Sequence, residues 1–124
     1  MRNLLSFAIA VLLQIGISFA QGSETFFNIG AAATSYGPQT WTGDNGLLWN
    51  AVNGRTDQAL TGKAMTIRDA GGNITCNAIP GGCGTLTFNY VRAFTTGSPV
   101  VQLYINGSPY GSTFTSTSAT LQNT

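Results

Sequence analysis

One long apolar run, Leu4–Leu13, broken only by Ser6, opens this chain, and nothing like it follows. Beyond Ala20 the apolar positions come in short β-branched and aromatic stretches, broken by Gly, Asn and Pro at intervals of about ten residues. No stretch after Ala20 repeats at helical spacing. The pattern predicts strands over Thr25–Ile29, Leu48–Val52, Ala64–Arg68, Asn73–Cys76, Thr85–Arg92, Val100–Ile105 and Tyr110–Thr115. Thr85–Arg92 is the clearest: Leu86, Phe88 and Tyr90 share one face, and Thr87 and Asn89 share the other. Asn106-Gly107, between two apolar runs, predicts a hairpin with a type I′ turn, because both residues accept positive φ. Asp44-Asn45-Gly46, Val52-Asn53-Gly54 and Gly71-Gly72-Asn73 are further turn signals. Short strands with turns this frequent predict an all-β fold, an antiparallel β-sandwich, rather than a βαβ fold.

The opening run has another meaning. Arg2 supplies a positive start, Leu4–Leu13 an apolar centre, and Ser18-Phe19-Ala20 the small residues a signal peptidase reads. A membrane anchor is the rival reading. Ser6, Gln14, Gly16 and Ser18 interrupt the stretch to Ala20, and no basic stop-transfer cluster follows. The expectation is a secreted protein: a signal peptide over 1–20, then one β-sandwich domain over 21–124 that does not stay in the membrane. At the other end, 113–124 is rich in Ser and Thr, yet Thr117–Leu121 still alternates as a strand does. The domain is therefore expected to continue past Thr124 rather than to end in a loose tail.

An oxidising compartment changes the reading of the two cysteines. Cys76 and Cys83 flank a short, turn-rich loop, and two antiparallel strands around it would bring them into a disulfide. Metal binding by two cysteines without histidine is the weaker alternative.

Charge and residue types then narrow the function. The chain has four acidic residues, Glu24, Asp44, Asp57 and Asp69, against five basic ones, and no histidine. A near-neutral, sparsely charged domain does not bind nucleic acid electrostatically. The absence of histidine excludes Ser-His-Asp and Cys-His catalysis and His-ligated zinc. Glycoside hydrolysis needs two facing carboxylates, and the few present sit mostly beside turn residues, so the chain is read as a non-enzyme. Calcium is the one metal raised, with Asp44 and Asp57 as candidate oxygen ligands, although a turn and a local pair with Arg55 explain them equally. The sequons Asn73-Ile74-Thr75 and Asn106-Gly107-Ser108 coincide with turns and receive no function. Aromatic residues are the richer set. Tyr36, Trp41, Trp49 and Tyr104 are candidate platforms for the C–H face of a sugar, with Arg55 and Arg92 as hydroxyl-binding partners. The alternative is that the tryptophans close the core.

Glu24-Thr25-Phe26, Tyr36, Trp41-Thr42-Gly43, Gly46, Trp49, Arg55-Thr56-Asp57, Gly62-Lys63-Ala64, Arg68 and Gly84–Tyr90 follow one another in a distinctive order. The string resembles the N-terminal jelly-roll modules of large secreted bacterial proteins, including extracellular nucleases and lamin-tail or sorting-signal multidomain proteins. The resemblance runs from Glu24 to Gly107. It implies a galactose-binding-like jelly roll, glycan-directed and accessory to catalytic or adhesive domains downstream of Thr124. Cys76 and Cys83 depart from that pattern, which has Ser or an aliphatic residue there. The expected function is thus a non-catalytic, carbohydrate-directed binding module. The alternatives are a structural or adhesive spacer with no small ligand, or the first part of a secreted nuclease or other hydrolase.

Overall fold

The computed structural model describes residues 22–68, 70–77, 79–94, 96–116 and 122–123. The signal peptide expected over 1–20 and the alternating segment 117–121 lie outside the described residues. Among them no helix forms, and none is long and apolar enough to cross a membrane. The described residues form eight strands, paired antiparallel throughout: β1 (Gly37–Thr42), β2 (Leu48–Arg55), β3 (Thr66–Ile67), β4 (Asn73–Cys76), β5 (Asn89–Tyr90), β6 (Val100–Ile105), β7 (Ser108–Thr115) and β8 (Gln122–Asn123). The fold is all-β and antiparallel, consistent with a sandwich.

β2 is the spine of the larger sheet. It pairs with β1 along one edge and with β3 and β4 in succession along the other. The register explains why. Trp41 sits opposite Trp49, which sits opposite Cys76, and the next row on that face is Gln39, Ala51 and Ile74. One face of the sheet is therefore apolar. The alternate row, Thr40, Asn50 and Thr75, is tied by a Thr40 hydroxyl bond to Asn50 Oδ1 at 3.1 Å and faces outward. Trp41 and Trp49 stack with centroids 6.0 Å apart and planes 12° from parallel, a cross-strand pair of the kind that sets sheet register. Ile29, Trp41 and Ala51 form the buried core, and Phe26, Trp49, Met65 and Ile74 pack against it.

Three turns form where the sequence placed them. Gly43 and Leu47 close the β1–β2 hairpin, with Gly46 at φ 76°. Gly72 N–H returns to the Arg68 carbonyl between β3 and β4. Asn106 and Gly107 take φ 51° and 78° between β6 and β7, as a type I′ turn requires. Asn53-Gly54 differs from the expectation. It lies inside β2, where Asn53 takes φ 52° and the pairing slips between Gly37 and Gln39, so this signal marks a bulge rather than a turn.

Thr25–Ile29 is not a strand. Phe26 adopts φ 59°, and Ile29 N–H returns to the Phe26 carbonyl, so this segment is a turn. Side chains from elsewhere hold it there. Glu24 accepts hydrogen bonds from the amides of Phe26 (2.8 Å) and Asp44 (3.1 Å) and from the Trp41 indole (3.3 Å). Lys63 Nζ donates to the carbonyls of Phe27 and Ile29, each at 3.1 Å. The turn sends Ile29 and Phe26 into the core and leaves Phe27 74% exposed beneath the Lys63 ammonium. The expected strands Ala64–Arg68 and Thr85–Arg92 shrink to Thr66–Ile67 and Asn89–Tyr90. The face predicted for the latter survives: Phe88 and Tyr90 both pack on Phe114, at 5.5 and 4.9 Å, in a second aromatic cluster.

The disulfide is corrected as well. The expected hairpin around Cys76 and Cys83 does not form, because β4 pairs with β2 and Cys83 lies in an irregular stretch. Both thiols are free. Cys76 is half-buried in the Trp49 row, and burial pushes its thiol above the ordinary range, with the Glu24 charge acting in the same direction.

Candidate binding surface

The six residues expected to carry binding fare differently. Trp41 is only 5% exposed and belongs to the core, so it presents no platform. Trp49, half-buried against it, offers at most one partial ring face. Tyr104 is 60% exposed on β6. The structure brings Tyr36 and Arg55 together, and it adds two residues that sequence reasoning did not select as site residues.

Arg55 closes β2, where Asp57 takes it in a bidentate grip. Arg55 Nε lies 2.7 Å from Oδ1 and Nη2 2.6 Å from Oδ2, and Gln58 donates to the same carboxylate. The two side chains keep 16% and 14% of their surface. So fixed, the guanidinium carbon lies 5.4 Å from the centroid of Tyr36 and 5.1 Å from that of Phe94. Arg68, just past β3, stands 5.7 Å from the same Tyr36 ring. Phe94, Arg55, Tyr36 and Arg68 thus form a ladder of alternating rings and cations, each contact worth about 0.5–1 kcal/mol at an exposed site. Arg68 is exposed and has no carboxylate partner among the described residues. Arg92 donates Nη1 to the Gly97 carbonyl at 3.0 Å, while its Nε is buried without a partner among the described residues.

Tyr36, Arg68, Arg92 and Phe94 border the same open space, together with Trp49 and Tyr104. Comparison with known protein families, curated proteins and solved structures finds no match for this chain.

The candidate calcium ligands are engaged by their own chain. Asp44 accepts from the Thr25 amide (2.8 Å), the Thr25 hydroxyl and Asn28, pinning the segment after Glu24 to the β1–β2 turn. Asp57 is held by Arg55 and Gln58. Among the described residues no cluster of three or more His, Cys, Asp or Glu gathers to hold a metal.

The Arg55 hydrogen bonds hold the Asp57 carboxyl down at about 2, from an ordinary value of 3.8, and raise the Arg55 guanidinium in turn. A carboxyl depressed by folding stabilises the fold in full above its unfolded value and loses that contribution as pH falls through its folded value. Denaturation midpoints of the wild type should therefore fall more steeply between about pH 4 and pH 2 than those of Asp57→Asn. Parallel curves would show that the pair does not matter to folding.

Proposed function

We propose that this protein is a secreted, non-catalytic binding module directed at extracellular glycan, built as a jelly roll of the galactose-binding-like kind. One observation carries the reading: Phe94, Arg55, Tyr36 and Arg68 alternate as rings and guanidinium groups, and Arg68 is exposed with no carboxylate partner among the described residues. Ring faces pack against the C–H faces of sugars, and guanidinium groups donate to their hydroxyls. Support for a non-catalytic role comes from the carboxylates: Glu24, Asp44 and Asp57 all accept hydrogen bonds from their own chain. No histidine is present to share acid–base work.

A spacer with no small ligand is the second reading, and the burial of Trp41 favours it. A glycan array separates the two. The binding module gives a set of related hits, and Phe94→Ala or Tyr36→Ala weakens them about tenfold, the equivalent of one lost stacking contact. A silent array supports the spacer.

A further inference from the structure

Glycine follows asparagine at three places in this chain: Asn45-Gly46, Asn53-Gly54 and Asn106-Gly107. Such a pair can react with itself. The main-chain nitrogen of the glycine is tethered beside the side-chain carbonyl carbon of the asparagine, so its attack is intramolecular, and a residue without a Cβ does not shield that nitrogen. By sequence the three pairs are alike. The fold separates them.

Two of them are locked. At Asn45-Gly46 the attacking nitrogen is occupied, because the Gly46 N–H donates to the Gly43 carbonyl at 2.9 Å. The side chain is held as well: Asn45 Oδ1 accepts from the Leu47 amide at 3.1 Å. Asn53-Gly54 lies inside β2, where Gly54 is buried opposite Gly37 on one side and Ile67 on the other. The Asn53 carbonyl accepts from the Arg68 amide at 3.0 Å, and its side chain donates to the Gly71 carbonyl at 3.5 Å. A side-chain carbon on Gly54 would meet Met65 Sδ at 2.8 Å, so this peptide has little room to turn.

Asn106-Gly107 is neither paired nor crowded. Both residues are exposed in the turn between β6 and β7, outside either strand. Neither the Asn106 side chain nor the Gly107 N–H makes a hydrogen bond among the described residues, and a side-chain carbon on Gly107 would meet nothing within 4 Å. We propose that Asn106 is a deamidation site of the folded protein, with water as the co-reactant. The Gly107 nitrogen loses its proton to solvent and bonds to Asn106 Cγ. The Cγ–Nδ2 bond breaks, the departing nitrogen takes up a proton and leaves as ammonia, and a cyclic imide remains. Water then opens the imide at either carbonyl, leaving aspartate or isoaspartate in place of Asn106. Either product puts a carboxylate into residues 93–124, which otherwise carry no charge. Aspartate suits the first position of a type I′ turn, whereas isoaspartate lengthens the main chain inside it. This chemistry is independent of any glycan reading.

Peptide mapping by mass spectrometry is the test, on purified protein aged in mildly alkaline buffer with and without urea. In the folded protein the peptide holding Asn106 should gain the mass of an NH2-to-OH exchange at least about tenfold faster than those holding Asn45 or Asn53, which must wait for local opening. In urea the three rates should converge, because only the fold distinguishes the pairs. Asn106→Gln, whose longer side chain would have to close a larger ring, should remove the fast reaction and leave the other two peptides unchanged. A folded protein in which Asn106 stays intact, or in which Asn45 or Asn53 keeps pace with it, would overturn the proposal.

Discussion

Trp41→Ala should unfold the protein rather than weaken a binding site. Trp41 lies at the centre of the core, with Phe26 at 5.9 Å, Trp49 at 6.0 Å, and Ile29 and Ala51 buried alongside. Replacing a buried tryptophan by alanine costs about 3–5 kcal/mol, and a small domain has ~5–15 kcal/mol in all. The substitution also leaves Glu24 without one of its donors and the Phe26 turn without the ring it rests on. Urea denaturation should show the variant largely unfolded or with a midpoint far below the wild type, and Trp41→Phe should recover most of the loss. A Trp41→Ala protein with the wild-type midpoint would mean that Trp41 is a surface platform after all.

Thr56→Val is the second large effect, although it changes almost no volume. Thr56 is 5% exposed, and its hydroxyl donates to the Ala31 carbonyl at 2.6 Å and accepts from the Ala33 amide at 3.0 Å. Its own amide returns to the Ala33 carbonyl at 3.2 Å. One side chain thereby binds the segment before Tyr36 to the end of β2. Valine fills the space and leaves both backbone partners without a bond, at about 1–3 kcal/mol for each group that water does not reach. Faster amide exchange at Ala33 should accompany the lower midpoint. Unchanged exchange at Ala33 would show that this segment is held by something else. Because Tyr36 follows closely, Thr56→Val should also loosen the ladder while leaving its own residues intact.

The parts of this fold that were legible in the sequence are those decided by neighbours in the chain. Asn73–Cys76 and Val100–Ile105 appear with the bounds expected, because the first alternates, the second is a short β-branched and aromatic run, and each is flanked by a Gly-containing turn. β1 was not legible. Gly37-Pro38-Gln39-Thr40 carries no strand pattern, and the strand exists because Trp41 pairs with Trp49 across it. Thr25–Ile29 misled for the opposite reason. Phe26-Phe27 has the propensity of a strand, but Glu24 and Lys63 supply hydrogen bonds that only a turn can use. Cys76 and Cys83 looked paired because the loop between them is short, yet β4 turns to β2 for its partner.

The binding surface was half legible for the same reason. Tyr36 and Arg55 stood out by residue type, and the Arg55-Thr56-Asp57 spacing suggested a local pair that does form. Phe94 sits in an irregular segment with no periodicity to announce which way it points, and Arg68 joins only because the β3–β4 turn returns it to Tyr36. Of the two tryptophans, the most conspicuous residues for a sugar platform, Trp41 was taken by the core and Trp49 packs half-buried against it.

Titration of the strongest array glycan into three proteins tests most directly where binding resides. The wild type and Trp41→Phe should bind with similar affinity, since Trp41 lies beneath the sheet, while Phe94→Ala should bind about tenfold more weakly with its fold intact. Loss of binding in Trp41→Phe with Phe94→Ala unaffected would contradict the ladder and return the site to the tryptophans.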